Sequence, residues 1–169
     1  MSAVETPRAP EPLAADHDLA AFDCGMPELN DWLQRRALRN EESGASRSYV
    51  ACVDRRVVGY YCLATGAIAH AAAPGKVRRN MPDPIPVMAV GRLAVDRGWH
   101  GKGVGRALLR DAVRRTIQAA ELAGIRAILV HAKSEPAKLF YESSGFYSSP
   151  PEPMTLMITV GEARRVLEA

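Results

Sequence analysis

A glycine-rich turn between a strand and a long helix is the feature that most constrains this chain. The turn and helix start read HGKGVGRALL over residues 100–109, directly after VMAVGRLAVDRGW, whose apolar, β-branched first part is typical of a buried strand. A helix N-terminus behind such a turn points backbone N–H groups outward and favours binding of phosphate. The backbone of this turn is built for close approach to a nucleotide, a cofactor tail or another strand.

Two well-known phosphate loops do not fit the spacing. A Walker A loop requires G-x-x-x-x-G-K-[ST]; counting from Gly98 leads to Gly103, and Val104 then stands where lysine is required. The dinucleotide fingerprint requires G-x-G-x-x-G within a βαβ unit, whereas here the spacing is G-x-G-x-G and mostly antiparallel hairpins precede it. Neither a nucleoside triphosphate nor a dinucleotide is favoured.

The rest of the chain alternates predicted helices and strands. Periodicity predicts a helix over 27–43, a hairpin turning at Asp54–Arg56, a strand over VMAVGRLAVD, and a helix from Val104 to about Leu122 that ends with Gly124 as a C-cap. A short strand (IRAILVHA), a helix (EPAKLFYESS) and a last strand (PMTLMIT) follow. The prolines of APGKVRRNMPDPIP predict an extended loop without helix. This order predicts an α+β fold with one central sheet.

Composition sets the size and class of the protein. The 169 residues are 47% apolar and 24% charged, which is typical of one ordinary globular domain. The Pro- and Ala-rich start predicts a flexible tail over residues 1–15, followed by a single domain over 16–169. No long apolar run or signal-peptide pattern occurs, so we expect a soluble cytoplasmic protein without a membrane partner.

Cysteines and histidines favour neither a disulfide framework nor a metal site. The three cysteines have no C-x-x-C spacing, and the four histidines have no helical or strand spacing that would gather them on an ion. We expect Cys52 and Cys62 to be small core residues and no metal to be bound.

Three segments in the right order resemble the GNAT superfamily of N-acetyltransferases. HGKGVG matches the spacing of the acyl-CoA loop Q/R-x-x-G-x-G/A, with His100 at its first position. GRLAVD is similar to the core strand that splays from its neighbour at a bulge, and AKLFYESSGF is similar to A-x-x-[FL]-Y-x-x-x-G-F, with Ser134 where asparagine is frequent. The resemblance implies acetyl-CoA as cofactor and a mixed, mostly antiparallel sheet, splayed at the acetyl-CoA site and flanked by helices.

From about Phe22 to Thr159 the chain also resembles the GNAT toxins of type II toxin–antitoxin modules. The stretch MPDPIPV ahead of GRLAVD is its most distinctive part, since generic GNAT enzymes lack it. The resemblance implies transfer of acetyl to the α-amine of an aminoacyl-tRNA, which blocks translation. It also implies a homodimer and a ribbon-helix-helix antitoxin that binds DNA.

The chemistry of an amine attacking a thioester is compatible with these implications. An α-amine has a pKa near 8, roughly two units below that of lysine, and an adjacent ester lowers it further. Such a nucleophile is largely neutral without a strong general base, and no acidic residue in the motifs stands out as one. By resemblance, Tyr141 is the general acid that protonates the CoA sulfur.

The resemblance also assigns the cofactor contacts. Backbone N–H groups of Leu93 and Val95 would hold the pantetheine arm, and the glycine loop would hold the pyrophosphate at the helix N-terminus. The cofactor-binding residues predicted in this way are Leu93, Ala94, Val95, His100, Gly101, Lys102, Gly103, Val104, Gly105, Arg106 and Ser134.

Arginines are the candidate contacts for a tRNA. The net charge of +3 does not by itself indicate a nucleic-acid partner, but a tRNA substrate requires basic groups around the acceptor pocket. The candidates are Arg35, Arg36, Arg39, Arg78, Arg79 and Arg92. Each has an alternative as a solvated surface residue or, for Arg92 within its apolar strand, as part of a buried ion pair.

Two other functions remain open at this stage. One is a GNAT enzyme that acetylates a small amine or a protein amine; a lysine substrate would require a general base that is not evident. The other is a catalytically idle module that acts only through an antitoxin. Tyr141 argues against the idle module, because a protein without catalysis has no need of the general acid.

Overall fold

The structure, a computed structural model, describes residues 5–168. It contains two 3₁₀ turns, at His70–Ala72 and Arg97–Trp99. Its strands and helices, in chain order, are β1 (Glu11–Pro12), α1 (Pro27–Arg35), α2 (Ala37–Ser43), β2 (Arg47–Val53), β3 (Arg56–Ile68), α3 (Gly75–Arg78), β4 (Ile85–Val95), α4 (Val104–Ala120), β5 (Ala127–His131), α5 (Glu135–Ser143), β6 (Tyr147–Ser149), β7 (Glu152–Thr159) and α6 (Val160–Glu168).

The strands form one seven-stranded sheet in the order β1-β2-β3-β4-β5-β7-β6. β4 and β5 are parallel, whereas β1–β2, β2–β3, β5–β7 and β6–β7 are antiparallel. The α+β class and the mixed, mostly antiparallel sheet flanked by helices are confirmed. Among residues 5–168, no helix combines the length and the apolar character needed to cross a bilayer.

The chain folds into two compact units. The first comprises residues 5–64 with Arg92–Ala112, and its core includes Leu33, Val50 and Tyr60, all fully buried. The second comprises Thr65–Gly91 with residues 113–168, and its core is formed by Ala73, Val77, Ile85, Val87, Ala127, Leu129 and Met157. A single domain over residues 16–169 remains a prediction.

The structure describes part of the segment predicted as a flexible tail, residues 1–15. Glu11 and Pro12 pair with β2, and Leu13 is buried in the first core, so apolar burial and ladder hydrogen bonds hold this part of the chain. The tail's first residues, 1–4, lie outside the described residues.

Two helices depart from the sequence prediction in the first half of the chain. The single helix predicted over 27–43 is wrong: it is interrupted at Arg36, whose φ of −121° is not helical, and no proline or glycine marks the break. The proline-rich loop contains the short helix α3, which the prolines did not exclude because Pro74 precedes its first turn. Arg126 donates to the carbonyl oxygens of Lys76 and Val77 and stabilises this turn.

The second half of the chain adds two elements that periodicity did not indicate, β6 and α6. Helix α6 starts with a reciprocal cap, because Glu162 N–H donates to Thr159 Oγ1 and Glu162 Oε1 accepts from Thr159 N–H. Helix α4 ends at Ala120, so Gly124 is not its C-cap as predicted.

Candidate active site

The last residues of β4, just before the predicted cofactor loop, are not paired with β5. Parallel pairing between the two strands ends at Val90 and Val130, whereas β4 continues to Val95. Within this extension Arg92 has a φ of +56°, a left-handed conformation that side chains other than glycine rarely adopt. The early end of the β4–β5 pairing and the left-handed backbone of Arg92 are consistent with the predicted splaying.

The glycine loop has the geometry of an anion cradle. Gly101 and Gly103 have φ values of +73° and +82°, and a Cβ added at either would meet nothing within 4 Å. Both positions therefore require glycine for conformational reasons and leave the backbone open to close approach. The 17-residue helix α4 starts at Val104, directly behind the loop. A helix N-terminus behind a glycine backbone open to close approach is suited to a phosphate group.

Side chains around the loop stabilise it in different ways. The His100 Nε2 atom lies 2.7 Å from Val95 O and donates to it, so this side chain ties the loop to the end of β4. Asp96 accepts hydrogen bonds from the backbone N–H groups of Gly98 and Asp23, both at 3.0 Å. Lys102 lies 4.9 Å above the ring of Trp99, and its side chain, like that of Arg106, is exposed.

Ser134 and Tyr141 belong to the second unit, on or before helix α5. Ser134 Oγ accepts from Ala137 N–H at 3.2 Å and is the N-cap of α5, a structural use that serine favours. Its contact with the cofactor stays a prediction. Tyr141 is 6% exposed and packs against the rings of Phe140 and Phe146.

The hydroxyl of Tyr141 differs from those of three other tyrosines. Tyr60 donates to Leu29 O at 2.7 Å, Tyr61 donates to Asp111, and Tyr147 donates to Glu162 at 2.5 Å. The hydroxyl of Tyr141 makes no hydrogen bond to any residue in the part of the chain that the structure describes. Burial raises the pKa of Tyr141 to about 12, which keeps the phenol protonated. It is therefore a protonated donor without an acceptor among residues 5–168.

The arginines predicted to contact RNA are all exposed. In the first unit, Arg35 and Arg36 line a groove of about 250 Å³ on α1 together with Glu28, Asp31 and Trp32. The guanidinium of Arg92 lies 4.4 Å above the ring of Trp32, so the structure brings Arg92 to the same helix. Its predicted alternative, a buried ion pair, is wrong because the side chain is exposed and stacks on an aromatic ring. Arg39 lies on α2; Arg78 and Arg79 lie at the end of α3 in the second unit.

Trp32 is the site residue that sequence reasoning missed. It is 8% exposed, and its contact with Arg92 joins residues that are far apart in the chain. Such a tertiary contact leaves no local pattern. The only available signal was an arginine within an apolar strand.

A second cluster gathers possible metal ligands that the sequence spacing did not indicate. One ligand atom each of Glu11, His17 and Cys52 lie within 4.8 Å of one another. Ala14 N–H donates to His17 Nδ1 at 2.9 Å, which places the proton of a neutral imidazole on Nε2, 2.9 Å from Glu11 Oε1. The imidazole in this arrangement connects the loop before α1 to β1 and offers no lone pair to an ion. None of the three cysteines, Cys24, Cys52 and Cys62, forms a disulfide.

Comparison with known proteins shows the family of this chain. Residues 44–148 match the family model described as "Acetyltransferase (GNAT) domain". The chain belongs to the GNAT acetyltransferase family: it is an acetyltransferase, and its acetyl donor is acetyl-CoA.

Among individual relatives, the chain is similar to the tRNA-acetylating toxin of Mycobacterium tuberculosis (strain ATCC 25618 / H37Rv), with 50% identity over 159 residues, 94% of this chain and 96% of the relative. It is also similar to AtaT complexed with acetyl-methionyl-tRNAfMet, with a TM-score of 0.86, 32% identity and coverage of 95% and 98%. A third match is a tyrosine-to-phenylalanine mutant of the toxin AtaT bound to acetyl-CoA and the C-terminus of the antitoxin AtaR, with a TM-score of 0.81, 31% identity and coverage of 95% and 97%.

Proposed function

We propose that this protein is the toxin of a type II toxin–antitoxin module and transfers acetyl from acetyl-CoA to the α-amine of aminoacyl-tRNA, which blocks translation. The observation that carries the proposal is the 50% identity to a tRNA-acetylating toxin over nearly the full length of both chains. The match to AtaT in complex with an acetylated aminoacyl-tRNA supports the same substrate class.

Acetyl-CoA supplies an activated acetyl thioester. In our proposal, the residues of the loop from His100 to Arg106 hold its pyrophosphate through backbone N–H groups and the positive end of α4. Backbone N–H groups of Leu93 and Val95 orient the pantetheine arm and the thioester, with Ala94 between them. Lys102 and Arg106 add positive charge beside the phosphates, and Ser134 contributes its hydroxyl.

Tyr141 acts as the general acid in this proposal. Its hydroxyl has no acceptor among the described residues, and its raised pKa keeps the proton in place until the CoA sulfur leaves as a thiolate. One of the AtaT structures similar to this chain carries a tyrosine-to-phenylalanine substitution. The acceptor amine needs no strong base, since an α-amine beside an ester is largely neutral near pH 7.

The substrate and partners follow from the same proposal. The residues that contact the tRNA around its acceptor end are Arg35, Arg36, Arg39, Arg78, Arg79 and Arg92. The protein acts as a cytoplasmic homodimer and is neutralised by a ribbon-helix-helix antitoxin; AtaT bound to the C-terminus of its antitoxin AtaR supports an antitoxin partner.

The experiment that tests this function measures acetyl transfer from labelled acetyl-CoA. Purified protein is incubated with aminoacylated tRNA, the same tRNA after deacylation, polyamines or a lysine-rich protein. Label should enter the aminoacylated tRNA alone. Entry into polyamine or protein, with none in charged tRNA, would show a different amine substrate. No transfer to any acceptor would favour the idle, antitoxin-binding module.

Expression in growing cells provides the matching biological readout. Wild-type protein should arrest growth, and Tyr141→Phe should abolish the arrest at equal protein level. Equal toxicity of the two proteins would contradict the role of Tyr141.

A further inference from the structure

Three planar groups form a continuous stack in the first unit. The rings of Tyr60 and Trp32 are nearly parallel, with an interplanar angle of 5° and a centroid distance of 6.1 Å. The Arg92 guanidinium lies over the Trp32 ring, with its central carbon 4.4 Å from the ring centroid. Tyr60 is fully buried, Trp32 is 8% exposed and Arg92 is exposed. The stack therefore runs from the core to the surface and ends in a guanidinium plane.

The backbone of Arg92 is held in a conformation that presents this plane. A φ of +56° is strained for a non-glycine residue, so surrounding contacts must stabilise it. The stacking on Trp32 is one such contact, and a second is the 3.9 Å approach of Arg92 Nη1 to Cys62 Sγ. A left-handed residue within a strand departs from the extended backbone and so turns its side chain out of the regular alternation of the strand.

The charges beside the stack do not favour a simple phosphate site. The groove next to Trp32 is lined by the carboxylates of Glu28 and Asp31 as well as by Arg35 and Arg36. Asp31 also lies 3.9 Å from Arg35. A phosphate would meet both signs of charge here. A nucleobase suits this lining better, because its neutral edge carries donors for the carboxylates and acceptors for the guanidinium groups.

We propose that the exposed plane of Arg92, backed by Trp32 and Tyr60, is a stacking platform for one unpaired base at the 3′ end of the tRNA. This inference rests on the proposed function, because only an RNA acceptor supplies such a base. Single-stranded RNA bases stack on guanidinium planes as they do on aromatic rings. Arg92 directly precedes Leu93–Val95, so a base held there lies beside the segment proposed to orient the thioester.

The test compares Arg92→Lys with the wild-type enzyme. Lysine keeps the positive charge and the same backbone requirement at φ +56° but lacks a planar group. The substrates are a charged RNA minihelix with an unpaired 3′ end and versions in which each unpaired 3′ position is abasic in turn. Arg114→Lys, an exposed arginine on α4, is the matched control. The readouts are kcat, KM for the RNA and KM for acetyl-CoA.

The platform predicts that Arg92→Lys raises KM for the intact minihelix roughly 5- to 50-fold. KM for acetyl-CoA should stay within about twofold, and Arg114→Lys should resemble the wild type. For the wild-type enzyme, the minihelix that is abasic at one particular 3′ position should show the same rise in KM. With that abasic minihelix, Arg92→Lys should have the same KM as the wild type.

Three results would overturn the platform. The first is an unchanged KM of Arg92→Lys for the intact minihelix. The second is that the effects of Arg92→Lys and of the abasic substitution add at every 3′ position. The third is a change in KM for acetyl-CoA alone. A wild-type enzyme that acetylates no charged RNA would instead overturn the proposed function, so that the two failures are distinguishable.

Discussion

The hydroxyl of Tyr147 donates a hydrogen bond to Glu162, whereas that of Tyr141 bonds to no described residue. Replacing each tyrosine by phenylalanine therefore gives a matched pair of substitutions. Tyr141→Phe removes a hydroxyl that bonds to no described residue, so its free energy of unfolding should stay within about 0.5 kcal/mol of wild type. Its kcat should fall roughly 100-fold or more, because general acid catalysis contributes about that much. Tyr147→Phe removes a bond to Glu162 and should lower stability by about 1 kcal/mol with kcat retained. Chemical denaturation and steady-state kinetics measure both effects. The assignment would be wrong if Tyr147→Phe lost activity and Tyr141→Phe kept it.

The pH dependence follows from the same residue. Burial raises the pKa of Tyr141 to about 12, so the phenol remains a proton donor throughout the range from pH 6 to 9.5. We expect kcat/KM to rise with pH as the acceptor amine loses its proton, and then to level off without a basic limb. Single-turnover assays with freshly charged tRNA measure this profile. A decline between pH 7 and 9 would indicate an acid of lower pKa in place of Tyr141.

The raised pKa of Tyr141 also determines how the stability of the folded protein changes at high pH. The folded protein retains the Tyr141 proton at pH values where the unfolded chain, with a tyrosine pKa near 10, has released it. Stability is therefore unaffected by this residue below about pH 10 and falls as pH rises from 10 towards 12. Burial also raises the pKa of Tyr60 and Tyr147, which adds to the same trend. Denaturation midpoints at pH 9, 10 and 11 measure the trend.

At the scale of the element, the glycine loop gives the sharpest contrast between two Gly→Ala substitutions. Gly103→Ala forces an alanine to a φ of +82° and should cost about 1–2 kcal/mol of stability, and it should raise KM for acetyl-CoA by distorting the anion cradle. Gly161→Ala, in the first turn of α6 and also with open space around it, should be neutral or stabilising by about 0.5 kcal/mol. Thermal melting and acetyl-CoA titration measure both. Equal tolerance of the two alanines would contradict the role of the loop backbone.

Elements defined by neighbours in the chain were predictable from sequence. The β2–β3 hairpin, β4, the glycine loop and α4 each have local signals: turn residues, an apolar run, glycine spacing and helical periodicity. Helix α3 was not predictable, because burial of Val77 and the hydrogen bonds from Arg126 stabilise it from elsewhere in the chain. Strand β6 has only three residues, too few for a period, and it depends on its pairing with β7.

The same distinction between local and long-range signals applies to the residues of the candidate site. The cofactor loop and Tyr141 could be proposed from sequence because each lies in a short motif. The stack of Tyr60, Trp32 and Arg92 could not, because it joins three separate elements and no local pattern records the contact.

At the scale of the whole molecule, electrostatics should control substrate affinity more than net charge suggests. With a net charge of only +3, binding of tRNA must rely on local arginines. The logarithm of the affinity for charged tRNA should fall linearly with the logarithm of salt concentration. Arg78→Gln should reduce the magnitude of that slope by roughly 0.7 to 0.9, the contribution of one phosphate contact. It should lower the affinity for different charged tRNAs about equally. A filter-binding series from 50 to 300 mM salt measures the slope. An unchanged slope would remove Arg78 from the set of phosphate contacts.

The central claim is that the acetyl group goes to the α-amine of an aminoacyl-tRNA. The most direct measurement is mass spectrometry of the aminoacyl-adenosine that ribonuclease releases from charged tRNA after reaction with acetyl-CoA. We predict a product heavier by one acetyl group whose fragments place the acetyl on the α-amine. The product should be absent with Tyr141→Phe. Unmodified aminoacyl-adenosine after exhaustive reaction with active wild-type enzyme, or acetyl on the nucleotide instead of the amine, would contradict the account.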